Sequence, residues 1–105
     1  MGKVTLADII KAIDNKRVRI TDHADEEMYN DKISLEEIYS TVRQGGIIEY
    51  YISGESYPRC LVYSETFNGD PIHTVWGYNF NNEWAVLITV YTPDENKWVD
   101  GRKRR

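Results

Sequence analysis

A chain of 105 residues, 41% of them hydrophobic, is long enough for one folded domain with one core and too apolar to stay disordered. The net charge of −4 argues against strong nonspecific nucleic-acid binding by the whole surface, although "KRVR" (16–19) and "GRKRR" (101–105) are basic while residues 22–37 are acidic. One cysteine, Cys60, excludes an internal disulfide framework and a multi-cysteine zinc site, and it points to a reducing cytoplasm.

The first half of the chain reads as helical. In "TLADIIKAID", Leu6, Ile9, Ile10 and Ile13 fall on one helical face, and Thr5 with Asp8 resembles a capping box. "KRVRIT" reads as a short extended link. Asp22 is placed to cap a second helix, "HADEEMYND", with Ala24 and Met28 facing inward. Ser34 and Glu37 form an S-x-x-E capping box for a third helix, buried along Leu35, Ile38, Tyr39 and Val42 and ended by Gly45 and Gly46. No apolar run nears the roughly 20 residues that span a bilayer. "MGKVTLADII" lacks a signal peptide's apolar region and cleavage site, and Leu6 stands where a myristoylation motif needs Ser or Thr. The expectation is a cytoplasmic protein.

The second half reads as strands. "IIEYYI" (47–52) is apolar and rich in β-formers, and "GESYP" (54–58) turns the chain. "RCLVYSETF" (59–67) alternates between two faces. Asn68-Gly69 is a hairpin signal before "IHTVWGYNF" (72–80), in which His73 shares a face with Val75 and Gly77, opposite Ile72, Thr74 and Trp76. After the "NNE" turn, "WAVLITVY" (84–91) is nearly continuous apolar, as a central strand would be, and Pro93 stops it. The expected fold is α+β: three helices packed on an antiparallel sheet of about four strands, in a single domain.

The candidate chemistry is sparse. His23 heads an acidic helix, where it is either a structural hydrogen-bonding group or a general acid–base near neutral pH. His73, in a strand, is more simply structural. Cys60 as a nucleophile with a histidine base lacks any local signature, and a strand cysteine usually belongs to the core. The acids of residues 22–37 read as a solvated helix face without an EF-hand pattern. The tail "GRKRR" reads as a frayed, solvated end, or as a phosphate-contacting arm. No P-loop, dinucleotide fingerprint, G-x-S-x-G or H-E-x-x-H occurs, so no cofactor or metal is expected.

Five blocks in order, "TDHADEEM…D.ISLEEIY", "GGIIEYY", "YPRCLVY", "PIHTVWGYN" and "LITVYTPDENKW", resemble the family catalogued as domain of unknown function 4258, from about Ile20 to Trp98. The resemblance implies a fold similar to RelE-like ribonuclease toxins. It also implies an antitoxin-like zinc-finger protein as partner, similar to the MqsR-like systems, and RNA as substrate. Its blocks place the helix-start histidine at His23, the "YP-x-C" group at Tyr57, Pro58 and Cys60, the "P-I-H" histidine at His73, and "T-V-Y-x-P" at Thr89, Val90, Tyr91 and Pro93. The chain departs from the pattern at Glu27 and Asp31, where many members carry arginine. In a metal-free endoribonuclease, His23 and His73 would divide the proton transfers, Arg59 would stabilise the phosphorane charge, and Tyr91 would orient the phosphate. Trp76, Tyr78 or Trp84 would stack a base. The competing class is a noncatalytic interaction module that binds a protein through the tyrosine-rich stretch 49–57, for instance by strand pairing.

Overall fold

The computed structural model describes residues 2–51 and 57–105. The first helix, α1 (Leu6–Asp14), carries both halves of the Thr5–Asp8 capping box, at 3.1 and 2.9 Å. It buries Ile9 and Ala12, with Leu6 and Ile13 packed beside them and Ile10 half-buried. The second helix, α2 (Asp22–Asp31), is capped by Thr21 and not by Asp22. A hydroxyl can accept and donate at once, whereas a carboxylate only accepts. Thr21 Oγ1 accepts from the N–H of Ala24 at 3.1 Å and donates to the Ile88 carbonyl at 2.8 Å, so the cap also fastens the helix to the sheet.

The third helix, α3 (Leu35–Val42), makes only half of its expected box. Ser34 Oγ accepts from the N–H of Glu37 at 3.0 Å, but the Glu37 carboxylate accepts the N–H of Phe67 at 2.6 Å. The helix is thereby tied to a hairpin turn. Neither Gly45 nor Gly46 is left-handed. Gly45 is needed for space, because a Cβ there would overlap the carbonyl oxygen of Tyr63. Gly45→Ala is expected to lower stability by about 1–3 kcal/mol, the usual cost of overpacking. A urea midpoint equal to that of the parent chain would refute this.

Five strands form the main sheet: β1 (Val18–Ile20), β2 (Gly46–Tyr51), β3 (Arg59–Glu65), β4 (Pro71–Asn79) and β5 (Trp84–Tyr91), in the order β1-β5-β4-β3-β2. The pairs β2–β3, β3–β4 and β4–β5 are antiparallel, as strands separated by few residues in sequence must be. Gly69, at φ +85°, supplies the left-handed residue of the β3–β4 turn. The link expected at residues 16–21 contributes a fifth strand, since β1 pairs in parallel with β5. Past Ile20, α2 takes over the β5 edge: the Thr21 N–H reaches the Leu87 carbonyl at 3.1 Å, and Glu27 Oε1 accepts the N–H of Val90 at 2.9 Å. The strand end at Ile52 and the turn expected over residues 54–56 lie outside the described residues.

The helices cover one sheet face, where Cys60, Val62, Ile72, Trp76, Tyr78, Leu87 and Val90 join the main core. The opposite face holds a smaller cluster of Leu61, Val75 and Trp98. The tail is a correction to the sequence reading. It is not frayed but forms a hairpin of β6 (Trp98–Val99) and β7 (Lys103–Arg104), turning through Asp100 (φ 53°) and a buried Gly101 (φ 73°). Trp98, only 4% exposed, anchors it, and burying one large ring outweighs the solvation of the surrounding charges. Among the described residues, no helix is long and apolar enough to cross a membrane.

Candidate functional site on the helix-free sheet face

Cross-strand pairing fixes which residues share the helix-free face. One row runs Tyr51, Arg59, Gly77, Val86, Arg19 across all five strands. Another aligns Tyr63, His73 and Tyr91. The C-terminal hairpin lies over the second row, and the far end of the face, at Arg19 and Trp84, stays open.

Under the hairpin, His73 is fully enclosed. Its ring meets Trp98 edge-on, with centroids 4.5 Å apart. His73 Nε2 lies 2.5 Å from the carbonyl oxygen of Gly101, and Nδ1 lies 3.0 Å from the Tyr91 hydroxyl. A carbonyl only accepts, so Nε2 carries the proton and the Tyr91 O–H donates to Nδ1. Burial pulls the His73 pKa below its ordinary value, opposed by the Gly101 hydrogen bond and by Glu49, so the ring is held neutral. Beside it, Glu49 accepts from Tyr51 at 2.9 Å and from Arg104 at 2.6 and 3.0 Å. The Arg104 bond holds the Glu49 carboxyl below its ordinary range. Burial, helped by Glu49, pushes the Tyr51 phenol up to about 12.

His23 sits in the first turn of α2 with its side chain 68% exposed. Its Nε2 is 3.3 Å from Glu27 Oε1, one helical turn on. That oxygen is anchored to the sheet, accepting from Thr89 Oγ1 at 2.5 Å and from the N–H of Val90 at 2.9 Å. The result is an open imidazole backed by a carboxylate of fixed position. Two strand groups hold Glu27 in place. The i, i+4 spacing from His23 was the signal for it.

At the open end, Arg19, Tyr57, Asn79, Asn82, Trp84 and Val86 line a groove of about 350 Å³, within the roughly 300–1,000 Å³ range of small-ligand clefts. Gly77 leaves room for Tyr57, whose ring would meet an added Cβ at 3.4 Å. Arg19 and Val86 are cross-strand neighbours, and the β5 edge then continues to Thr89 and Glu27. Groove and histidine therefore lie along one edge of the sheet.

Of the residues singled out from sequence, the structure joins His73 to Tyr91 and sets Arg59 in the row that reaches the groove. It does not bring His23 and His73 into one pocket, because His73 opens onto no surface. Trp76 and Tyr78 are core, since even-numbered β4 positions face the helices; Trp76 Nε1 donates to Thr74 Oγ1 at 2.9 Å. Trp84 alone of the three expected stacking residues is open. Cys60 is buried, with its thiol pushed up to about 12 by burial, which removes the thiolate a nucleophile needs. The basic tail is largely engaged: Arg102 lies over the Tyr63 ring at 4.1 Å, Arg104 binds Glu49, and Arg105 donates to the Glu95 carbonyl at 2.7 Å. Among the described residues, no three His, Cys, Asp or Glu side chains gather as metal ligands. Arg19, Tyr57, Asn79 and Asn82 were not singled out together from sequence, because only strand register assembles the groove.

These features define a small α+β domain with one helix-covered and one partly open sheet face, an exposed histidine–carboxylate pair and an aromatic, amide-lined groove. The chain belongs to the family described as domain of unknown function DUF4258, matched over residues 20–92. No curated protein and no solved structure matches it.

Proposed function

We propose that this domain binds single-stranded RNA along the β1–β5 edge and cleaves it without a metal, in the manner of RelE-like and MqsR-like toxins. The observation that carries the reading is His23, an exposed imidazole whose carboxylate partner is fixed by two hydrogen bonds to β5. Nε2–H is held by Glu27, so Nδ1 takes the 2′-OH proton as the 2′-oxygen bonds to phosphorus. The P–O5′ bond breaks, the departing 5′-oxygen takes a proton from water, and Glu27 stabilises the imidazolium, as orienting carboxylates do in other histidine catalysts. Arg59 and Arg19, in one row, supply positive charge for the phosphates. Nδ1 of the enclosed His73 takes the single Tyr91 O–H, which leaves that hydroxyl no proton for a phosphate, so in this reading His73 and Tyr91 hold the hairpin on the sheet and not the RNA.

The test is incubation of the purified chain with unstructured RNA in chelator, read on a gel beside a binding titration. Cleavage in chelator is expected, with binding that weakens steeply as salt rises, because contacts between the chain's cations and the phosphates carry it. Neutralising Arg17, Arg19, Arg59 and residues 102–105 together should abolish binding. Salt-insensitive binding, or binding that survives this neutralisation, would refute the patch.

The second reading, a noncatalytic protein-interaction module, is favoured by β2. It pairs only with β3 in the described sheet order and carries an exposed Tyr50, so a partner strand could add to it. A zinc-finger antitoxin-like protein is the partner that the toxin reading would place there. A chain that melts normally but neither binds nor cuts RNA supports this second reading.

A further inference from the structure

We infer that the groove of Arg19, Tyr57, Asn79, Asn82, Trp84 and Val86 is a pocket for one unpaired nucleobase, selective for bases that present carbonyl oxygens, such as uracil and guanine, over adenine. The inference rests on the RNA reading above for its ligand class. Its selectivity comes from the turn after β4. Asn79 Oδ1 accepts the N–H of Asn81 at 2.9 Å, and Asn82 Oδ1 accepts the N–H of Trp84 at 3.0 Å. Backbone N–H groups can only donate, so these bonds fix both amide orientations. Each amide oxygen is then turned to the backbone of its own turn, which leaves the Nδ2 donors as the main group each amide has to offer, and Arg19 only donates. A donor-rich wall matches the O6/N7 edge of guanine or the carbonyls of uracil, whereas adenine sets an N6 donor against it. Trp84 and Tyr57 supply π faces for stacking, and both are half-buried and line the groove. Trp76 and Trp98 are buried, so ligand-dependent tryptophan quenching reports mainly on Trp84.

The test uses the His23→Gln chain, so that cleavage does not interfere. It follows Trp84 quenching by short oligo(U), oligo(A), oligo(dT) and oligo(dA) at low salt. Oligo(U) and oligo(dT) are expected to bind at least ~5-fold more tightly than their adenine counterparts, the scale of one good base-edge contact. Asn82→Asp keeps the acceptor for the Trp84 N–H but replaces the donor. It should erase the preference without changing the melting temperature. Asn81→Asp adds the same charge outside the groove and should leave the preference intact. Absence of oligonucleotide binding, equal affinity for both base types, or equal effects of the two substitutions would overturn the pocket. The two readings fail separately. Selective binding by a His23-intact chain that cuts nothing keeps the pocket and removes the nuclease. Cutting with no base preference keeps the nuclease and removes the pocket.

Discussion

His23→Gln is expected to reduce RNA cleavage by roughly 100-fold or more, the usual weight of general acid–base catalysis, while leaving the melting temperature unchanged. Glutamine retains a hydrogen-bonding group within reach of Glu27 but cannot titrate. The stability half of the expectation follows from exposure: a side chain 68% open to solvent contributes little packing, and surface changes usually stay within about 0.5 kcal/mol. Glu27→Ala should behave differently, because its carboxylate also satisfies Thr89 and the N–H of Val90. It should lose activity and about 1–3 kcal/mol together, since hydrogen bonds to a charged group are the stronger kind. The pair of variants thus separates chemistry from edge-capping at one locus. Full cleavage by His23→Gln would remove the catalytic role, and a purely thermal defect in that variant would assign His23 to the fold.

The helices and the four antiparallel strands were legible because each rests on a local signal: capping residues, a 3.6-residue period, an Asn-Gly turn and runs of β-formers. The face of His73 followed from simple alternation. What was not legible depends on long-range competition. Thr21 displaced Asp22 as the cap because Ile88, far along the chain, offers a carbonyl to its hydroxyl. Glu37 left its box for the N–H of Phe67. The strand at residues 18–20 is too short to announce itself and exists because β5 has an edge to fill. The tail looked solvated because four of its last five residues are cationic, yet Trp98 and Gly101 decide its place. For the site the same split holds. His23 and Tyr91 stood out by residue type and motif, whereas the enclosure of His73 required knowing that a distant hairpin covers it.

His73→Ala is expected to cost about 2–4 kcal/mol, combining a cavity beside Trp98 with a stranded Gly101 carbonyl and Tyr91 hydroxyl. His73→Phe refills most of the volume and isolates the polar part, which should cost about 1–3 kcal/mol at neutral pH. Acidification then supplies an independent signature. The folded-state pKa of His73 lies below its ordinary 6.5, chiefly through burial, with Arg104 pulling the same way and Glu49 opposing. The unfolded chain therefore takes up the proton first. The contribution of neutral His73 is fully present above about 6.5 and is lost as pH falls from there through the depressed folded value. Glu49, lowered by Arg104, adds its own loss only further down, below its ordinary 4.5. The stability gap between the parent chain and His73→Phe should accordingly narrow as the buffer moves from pH 7 toward 5, because phenylalanine has no proton to gain. Urea midpoints of both chains across that range measure it directly. A gap that stays constant or widens on acidification would show that His73 is not held neutral beneath the hairpin.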